Sequence, residues 1–190
     1  GVFSFDFGGF IVDGGHSLKS KSSFLPSSAS QAKPPQLLAH YDFPDDWEIL
    51  LVILDSKNTV NGQKEVNIFQ DYCPVPKNEV EQTSHIIFMN MIPFLLERDL
   101  PAFGHSIDEI QKRGFKNVEV SLQSQQIRDL MDKLREIGAY GVGMSSFGPT
   151  VYSVFDKNNK HIVEEIKEYV GDRGIVLTTK AQNYGHEIQK

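Results

Sequence analysis

The sequence predicts an α+β fold of the ferredoxin-like, split βαβ kind: a four-stranded antiparallel sheet with helices on one face. Two observations predict it. After residue 46 the elements run strand, helices, strand, strand, helix, strand, and the apolar spacing alternates between strand and helical periods in that order. A glycine-rich run then joins an amphipathic helix to the next two strands, where a sheet edge needs tight turns.

Taken in order, residues 2–12 alternate around Gly8 and Gly9 and read as two short strands ending at Asp13-Gly14-Gly15. Two strands alone are marginal in water, so they are expected to join a sheet completed elsewhere. The chain opens on Gly1 rather than Met, directly into this pattern, which reads as a fragment of a longer protein. Residues 16–36 hold seven serines and three prolines with little apolar periodicity, the composition of a loop or linker; a lid over a site is the functional alternative.

The run Trp47-Glu48-Ile49-Leu50-Leu51-Val52-Ile53-Leu54 is almost wholly apolar and predicts a central buried strand. Residues 58–82 read as irregular. Residues 83–98 predict a buried helix through Ile86, Ile87, Phe88, Met91, Ile92, Leu95 and Leu96, kinked or ended early by Pro93. Asp99 caps a helix carrying Leu100, Phe103, Ile107 and Ile110, and Ser124 caps one carrying Ile127, Leu130, Met131 and Leu134, with Gly138 just past its end. A strand over 150–155, a helix through Ile162, Ile166 and Val170, and a strand over 175–179 complete the chain. The organisation is thus 1–15 as the end of an N-terminal domain, 16–46 as linker, and 47–190 as a C-terminal domain.

Composition narrows the function. The chain has 190 residues, 39% of them hydrophobic, which suffices for a core. With 19 Lys and Arg against 25 Asp and Glu, the net charge of -6 disfavours non-specific binding to nucleic acid. The lone Cys73 excludes an internal disulfide framework and a Cys-rich zinc site, and no apolar run is long enough for a membrane span. A cytoplasmic setting is expected. His40, His85, His105, His161 and His186 have no metal-ligand spacing, so no metal site is expected among these residues.

Residues 138–155, GAYGVGMSSFGPTVYSVF, carry the chemistry. No Lys-Ser or Lys-Thr follows the glycines, so this is not a Walker A loop, nor is it a dinucleotide fingerprint. Two readings stand: glycines that close a helix and turn a hairpin, or bare backbone brought close to an anion. Hydroxyls beside freed N–H groups suit an oxyanion, making Gly141, Gly143, Ser145, Ser146, Gly148 and Thr150 the candidate phosphate-binding residues.

The run resembles the third motif of the GHMP superfamily, the small-molecule kinases of galactose, homoserine, mevalonate and phosphomevalonate. With residues 8–16 (GGFIVDGGH) and 43–47 (FPDDW), the chain is most similar to the C-terminal half of the β-ribofuranosylaminobenzene 5′-phosphate synthase branch. The resemblance implies a GHMP C-terminal domain over 47–190. The superfamily's main phosphate loop belongs to the N-terminal domain and is not in this sequence, so this chain is expected to hold part of an active site and to be inactive alone. The position of the Asp base of kinase members falls on Gly1, which favours the synthase branch.

The implied reaction joins phosphoribosyl pyrophosphate to 4-aminobenzoate, releasing CO2 and pyrophosphate. A leaving pyrophosphate asks for N–H donors and Mg²⁺. Asp13 and His16, at a glycine-rich turn, are the candidate catalytic residues; an Asx-turn residue and a solvated loop histidine are their structural alternatives. Two competing functions remain: a GHMP kinase using ATP and Mg²⁺, and a non-catalytic module sensing a small ligand. The expected partner is a small phosphorylated substrate. The apolar 83–98 helix reads as either a thick core or a subunit interface, and the resemblance admits a homodimer.

Overall fold

The computed structural model describes residues 2–16, 25–26, 29, 34–55, 60 and 62–187. The chain divides into two compact units. The first comprises Gly1–Asp45, Asn61–Pro74 and Ala181–Lys190; the second comprises Asp46–Val60 and Val75–Lys180. Segments 61–74 and 181–190, assigned to the second domain from sequence, thus cluster with the first. Gly1 and most of the serine-rich stretch lie outside the described residues.

In the first unit, α1 (Val2–Phe7) is a helix where alternation predicted a strand. None of its residues is buried, so no sheet face selects the two-residue period. The helix instead stacks Phe3 on Phe7 at 6.3 Å, and Phe5 on His186 at 4.2 Å. β1 (Phe10–Asp13) pairs antiparallel with β2 (Leu37–Tyr41), a strand hidden in the expected linker. α2 (Gly62–Tyr72) replaces an expected irregular stretch; Ile68 is its one buried residue, too little apolar pattern to announce a helix. The C-terminal segment is anchored by Asn183, whose Oδ1 accepts from Phe43 N–H at 2.8 Å while its Nδ2 donates to Phe43 O at 2.9 Å. Gly8 (φ +71°) lies against this segment, where a Cβ would stand 2.4 Å from Gln182 O.

The second unit is the predicted sandwich. Its sheet runs β4 (Tyr140–Met144), β5 (Thr150–Phe155), β3 (Glu48–Leu54), β6 (Gly174–Thr179), antiparallel throughout. β3 and β4 are therefore parallel to each other with β5 between them, and β5 and β6 flank β3 in the same way, which is the split βαβ arrangement twice over. α7 (Gln125–Glu136) and α8 (His161–Val170) bring Leu130, Leu134, Ile162 and Ile166, all fully buried, to a core shared with Leu50, Val52, Val142 and Val151. Burial of each such side chain is worth about 1.5–3 kcal/mol.

The predicted 83–98 helix starts earlier, as α3 (Lys77–His85), widens through a π-helical turn over Ile86–Met91, and ends as α4 (Ile92–Glu97). Pro93 neither ends nor breaks it. Its ring would clash with a carbonyl one ordinary turn back, and the π turn, in which Ile92 N–H reaches Ile87 O, supplies the wider spacing. Asp99 caps α5 (Leu100–Gln111) as predicted, accepting from Ala102 N–H at 3.0 Å. Ser124 occupies the predicted cap position of α7, but its hydroxyl makes no capping bond. α6 (Gly114–Ser121) lies between α5 and α7.

Candidate functional site

The glycine-rich run divides into two parts with different uses. Gly138 (φ +84°) closes α7: its N–H donates to Arg135 O while Ala139 N–H reaches back to Leu134 O, the paired bonds of a Schellman cap. Gly141 and Gly143 are buried packing positions. Gly141 meets Gly104 of α5 so closely that a Cβ on it would stand 2.8 Å from Gly104 Cα, and a Cβ on Gly143 would stand 2.4 Å from Tyr152 Cζ. Both are placed by close approach, Gly141 to a helix and Gly143 to an aromatic ring, a packing use distinct from the helix-closing and hairpin-turning roles expected of structural glycines.

Ser145, Ser146, Gly148 and Thr150 form the second part, the turn between β4 and β5. Ser145 N–H donates to Thr150 O at 2.9 Å and Gly148 N–H to Ser145 O at 2.8 Å. Ser146 has φ +48°, left-handed backbone that a serine adopts at a cost. Ser145 and Ser146 are exposed, and among the described residues neither Ser146 N–H nor Phe147 N–H makes a hydrogen bond. Two successive free N–H groups beside a left-handed residue and two exposed hydroxyls are the elements of an anion-binding nest.

What the sequence did not reveal is the buried polar cradle that fixes this turn. Gln111, Glu119 and Gln123 are all buried. Gln111 Oε1 accepts from Met144 N–H at 3.0 Å, and Gln123 Nε2 donates to Phe147 O. Lys116 Nζ donates to Met144 O and Ser146 O, each at 3.2 Å, and is ion-paired with Glu119. Phe147 is anchored edge-on to Phe115 at 5.9 Å. Lys116 and Glu119 stand three apart, the ordinary spacing of an exposed helical pair, so nothing in the sequence marks them as part of a site.

A polar cleft of about 610 Å³ opens among α5, α6 and α7, with Asp108, Lys112, Asn117, Arg128 and Arg135 in its wall. Gln111 and Ala139 also line it. Its charges are largely paired, Arg135 holding Asp108 at 2.9 Å and Asp132 at 3.0 Å. Burial, with the Asp108 carboxylate adding to it, pushes the Tyr152 phenol up to about 12.

Asp13 and His16 belong to the first unit and the turn to the second. Both are exposed; Asp13 Oδ1 accepts from Gly15 N–H at 3.0 Å, an Asx turn. Among the described residues no group of three or more His, Cys, Asp or Glu could hold a metal ion, and no helix is long and apolar enough to cross a membrane.

Residues 91–175 match the family described as "GHMP kinases C terminal". The chain carries a GHMP kinase C-terminal domain. Its curated relatives include the β-ribofuranosylphenol 5′-phosphate synthases of Methanothermobacter thermautotrophicus, 50% identical over 97% of this chain and 56% of that protein, and of Archaeoglobus fulgidus, 45% identical over 100% of this chain and 59% of that protein. The chain therefore spans somewhat more than half the length of these relatives. Among solved structures, homoserine kinase from Cytophaga hutchinsonii superposes with a TM-score of 0.63 at 14% identity, over 94% of this chain and 50% of that one. Mevalonate diphosphate decarboxylase from Enterococcus faecalis gives 0.58 at 12% identity, over 94% and 53%. These last two likenesses concern the GHMP C-terminal fold alone.

Proposed function

We propose that this chain is the C-terminal part of an enzyme that joins phosphoribosyl pyrophosphate to a para-substituted benzoate, with loss of CO2 and pyrophosphate. The observation that carries the reading is the 50% identity, over nearly the whole chain, to a protein named as a β-ribofuranosylphenol 5′-phosphate synthase. The 145–150 turn, with Ser145 and Ser146 exposed, supports it, because the reaction needs donors for a departing oxyanion.

In this reading the C1′–O bond to pyrophosphate breaks and a bond forms between C1′ and the ring carbon that bears the carboxylate. The C–CO2 bond then breaks and returns its electron pair to the ring. Charge grows on the leaving pyrophosphate, and in this reading Ser146 N–H, Phe147 N–H and the hydroxyls of Ser145 and Ser146 are the donors that receive it; that neither N–H group makes a hydrogen bond among the described residues supports this. We assign Mg²⁺ to the oxygens of the donor's pyrophosphate, since that ion keeps several waters and binds beside substrate phosphates with few protein ligands. The acceptor is 4-aminobenzoate on the sequence resemblance, and the phenol in the relatives' names favours the 4-hydroxy analogue.

The family match over 91–175 favours one further reading, an ATP-dependent small-molecule kinase. The test is release of labelled CO2 from each carboxyl-labelled acceptor by the complete protein with phosphoribosyl pyrophosphate and Mg²⁺, beside an assay of ATP consumption. Release that needs the donor and no ATP supports the synthase and identifies its acceptor. No release from either acceptor overturns it, and ATP consumption then supports the kinase.

A further inference from the structure

We infer that Lys116 is a positioning residue of the anion site: it turns the Phe147 N–H toward the oxyanion by holding the neighbouring Ser146 carbonyl from the opposite side. The inference rests on the reading of the 145–150 turn as an oxyanion site. In a trans peptide the C=O and N–H of one plane point in opposite directions. The plane that carries Ser146 O also carries Phe147 N–H, so the Lys116 bond to Ser146 O aims that N–H away from α6. The second Lys116 bond, to Met144 O, fixes the plane that enters the turn.

The left-handed Ser146 is what this grip sustains. A serine at φ +48° relaxes toward ordinary backbone unless the surroundings over-determine it. Here the carbonyls of residues 144, 146 and 147 are each held by a side chain from α6 or the segment after it. Glu119, with its side chain 10% exposed, pairs with Lys116 and holds it in place, and Lys116 itself is 23% exposed. Gln123 holds the Phe147 carbonyl in the same manner, but its bond governs the next plane, whose N–H is already used by Ser145 O.

Two other roles for Lys116 predict different behaviour. A direct charge contact with the anion would be indifferent to the backbone preference of residue 146. A purely structural contact would change stability and leave affinity alone. Glycine adopts the left-handed region without penalty, so a glycine at residue 146 removes the need for the grip.

The experiment is a double-mutant cycle in the complete protein, with inorganic pyrophosphate titrated by calorimetry and the backbone coupling constant of residue 146 read by NMR. Lys116→Met is expected to weaken pyrophosphate at least tenfold in the Ser146 background, and less than threefold when combined with Ser146→Gly. The coupling constant is expected to leave its wild-type value in Lys116→Met, and to report left-handed backbone in the double variant. Equal weakening in both backgrounds, or an unchanged coupling constant in Lys116→Met, would overturn the inference. If pyrophosphate does not bind the wild-type protein, the oxyanion reading fails, and the coupling constant still decides whether Lys116 sets the turn.

Discussion

Gly143 lies beneath the ring of Tyr152, its cross-strand neighbour, so closely that any Cβ there would stand 2.4 Å from Cζ and 2.5 Å from the hydroxyl oxygen. The backbone of Gly143 is not left-handed, so space alone demands glycine. Gly138 is its converse: φ is +84°, and no atom lies within 4 Å of where a Cβ would be.

Gly143→Ala is therefore expected to cost about 1–3 kcal/mol through displacement of the Tyr152 ring. Gly138→Ala is expected to cost about 1–2 kcal/mol through backbone strain alone. Urea midpoints measure both. Replacing Tyr152 by a smaller residue in the Gly143→Ala background should recover part of the first loss, and the same replacement should not recover the second.

Tyr152 also sets an alkaline limit. Its folded pKa of about 12 stands above the ordinary value of 10.0, because burial disfavours the phenolate. A raised pKa means the neutral form is favoured in the folded state, so this contribution is full below pH 10 and is lost as pH rises from 10 through about 12. The loss should be about 1 kcal/mol by pH 11 and about 2–3 kcal/mol beyond pH 12. Denaturation at pH 9 and pH 11 should show a fall in wild type that is smaller by that amount in Tyr152→Phe.

The sheet of the second unit was legible because its signals are strong and local. The apolar 47–54 run, the Ile127, Leu130, Met131, Leu134 stripe and the Gly138 stop each force one structure. The first unit was legible only at β1, the second of the two strands expected before Asp13. Phe3, Phe5 and Phe7 alternate like a strand, yet none is buried, so the pattern had no face to serve. The candidate site was half legible: exposed Ser145 and Ser146 follow from hydroxyls in a glycine turn, whereas Lys116, Gln111 and Gln123 come from 20 to 40 residues upstream and meet the turn only through tertiary packing. Nor could spacing separate Gly141 and Gly143, which serve packing, from Gly148 in the turn.

Asn183→Ala should loosen the C-terminal segment. The amide pairs with both the N–H and the C=O of Phe43, and its loss removes both of these part-buried bonds. A cost of about 1–3 kcal/mol follows. Hydrogen exchange at the Phe43 amide should accelerate at least tenfold, and unchanged exchange there would contradict the clamp.

Leu134→Ala should cost about 2–5 kcal/mol, because the side chain is fully buried between α7 and the sheet and its cavity cannot fill with water. An equilibrium unfolding curve of the variant measures it, and a cost below about 1 kcal/mol would contradict the packing described.

The most direct test of the oxyanion role proposed for the 145–150 turn is a titration of the ¹⁵N-labelled complete protein with inorganic pyrophosphate, followed amide by amide. The account predicts that the largest saturable shifts fall on Ser146 and Phe147, with smaller ones at Ser145 and Gly148. Saturable shifts confined to other residues, or none at all, would contradict it.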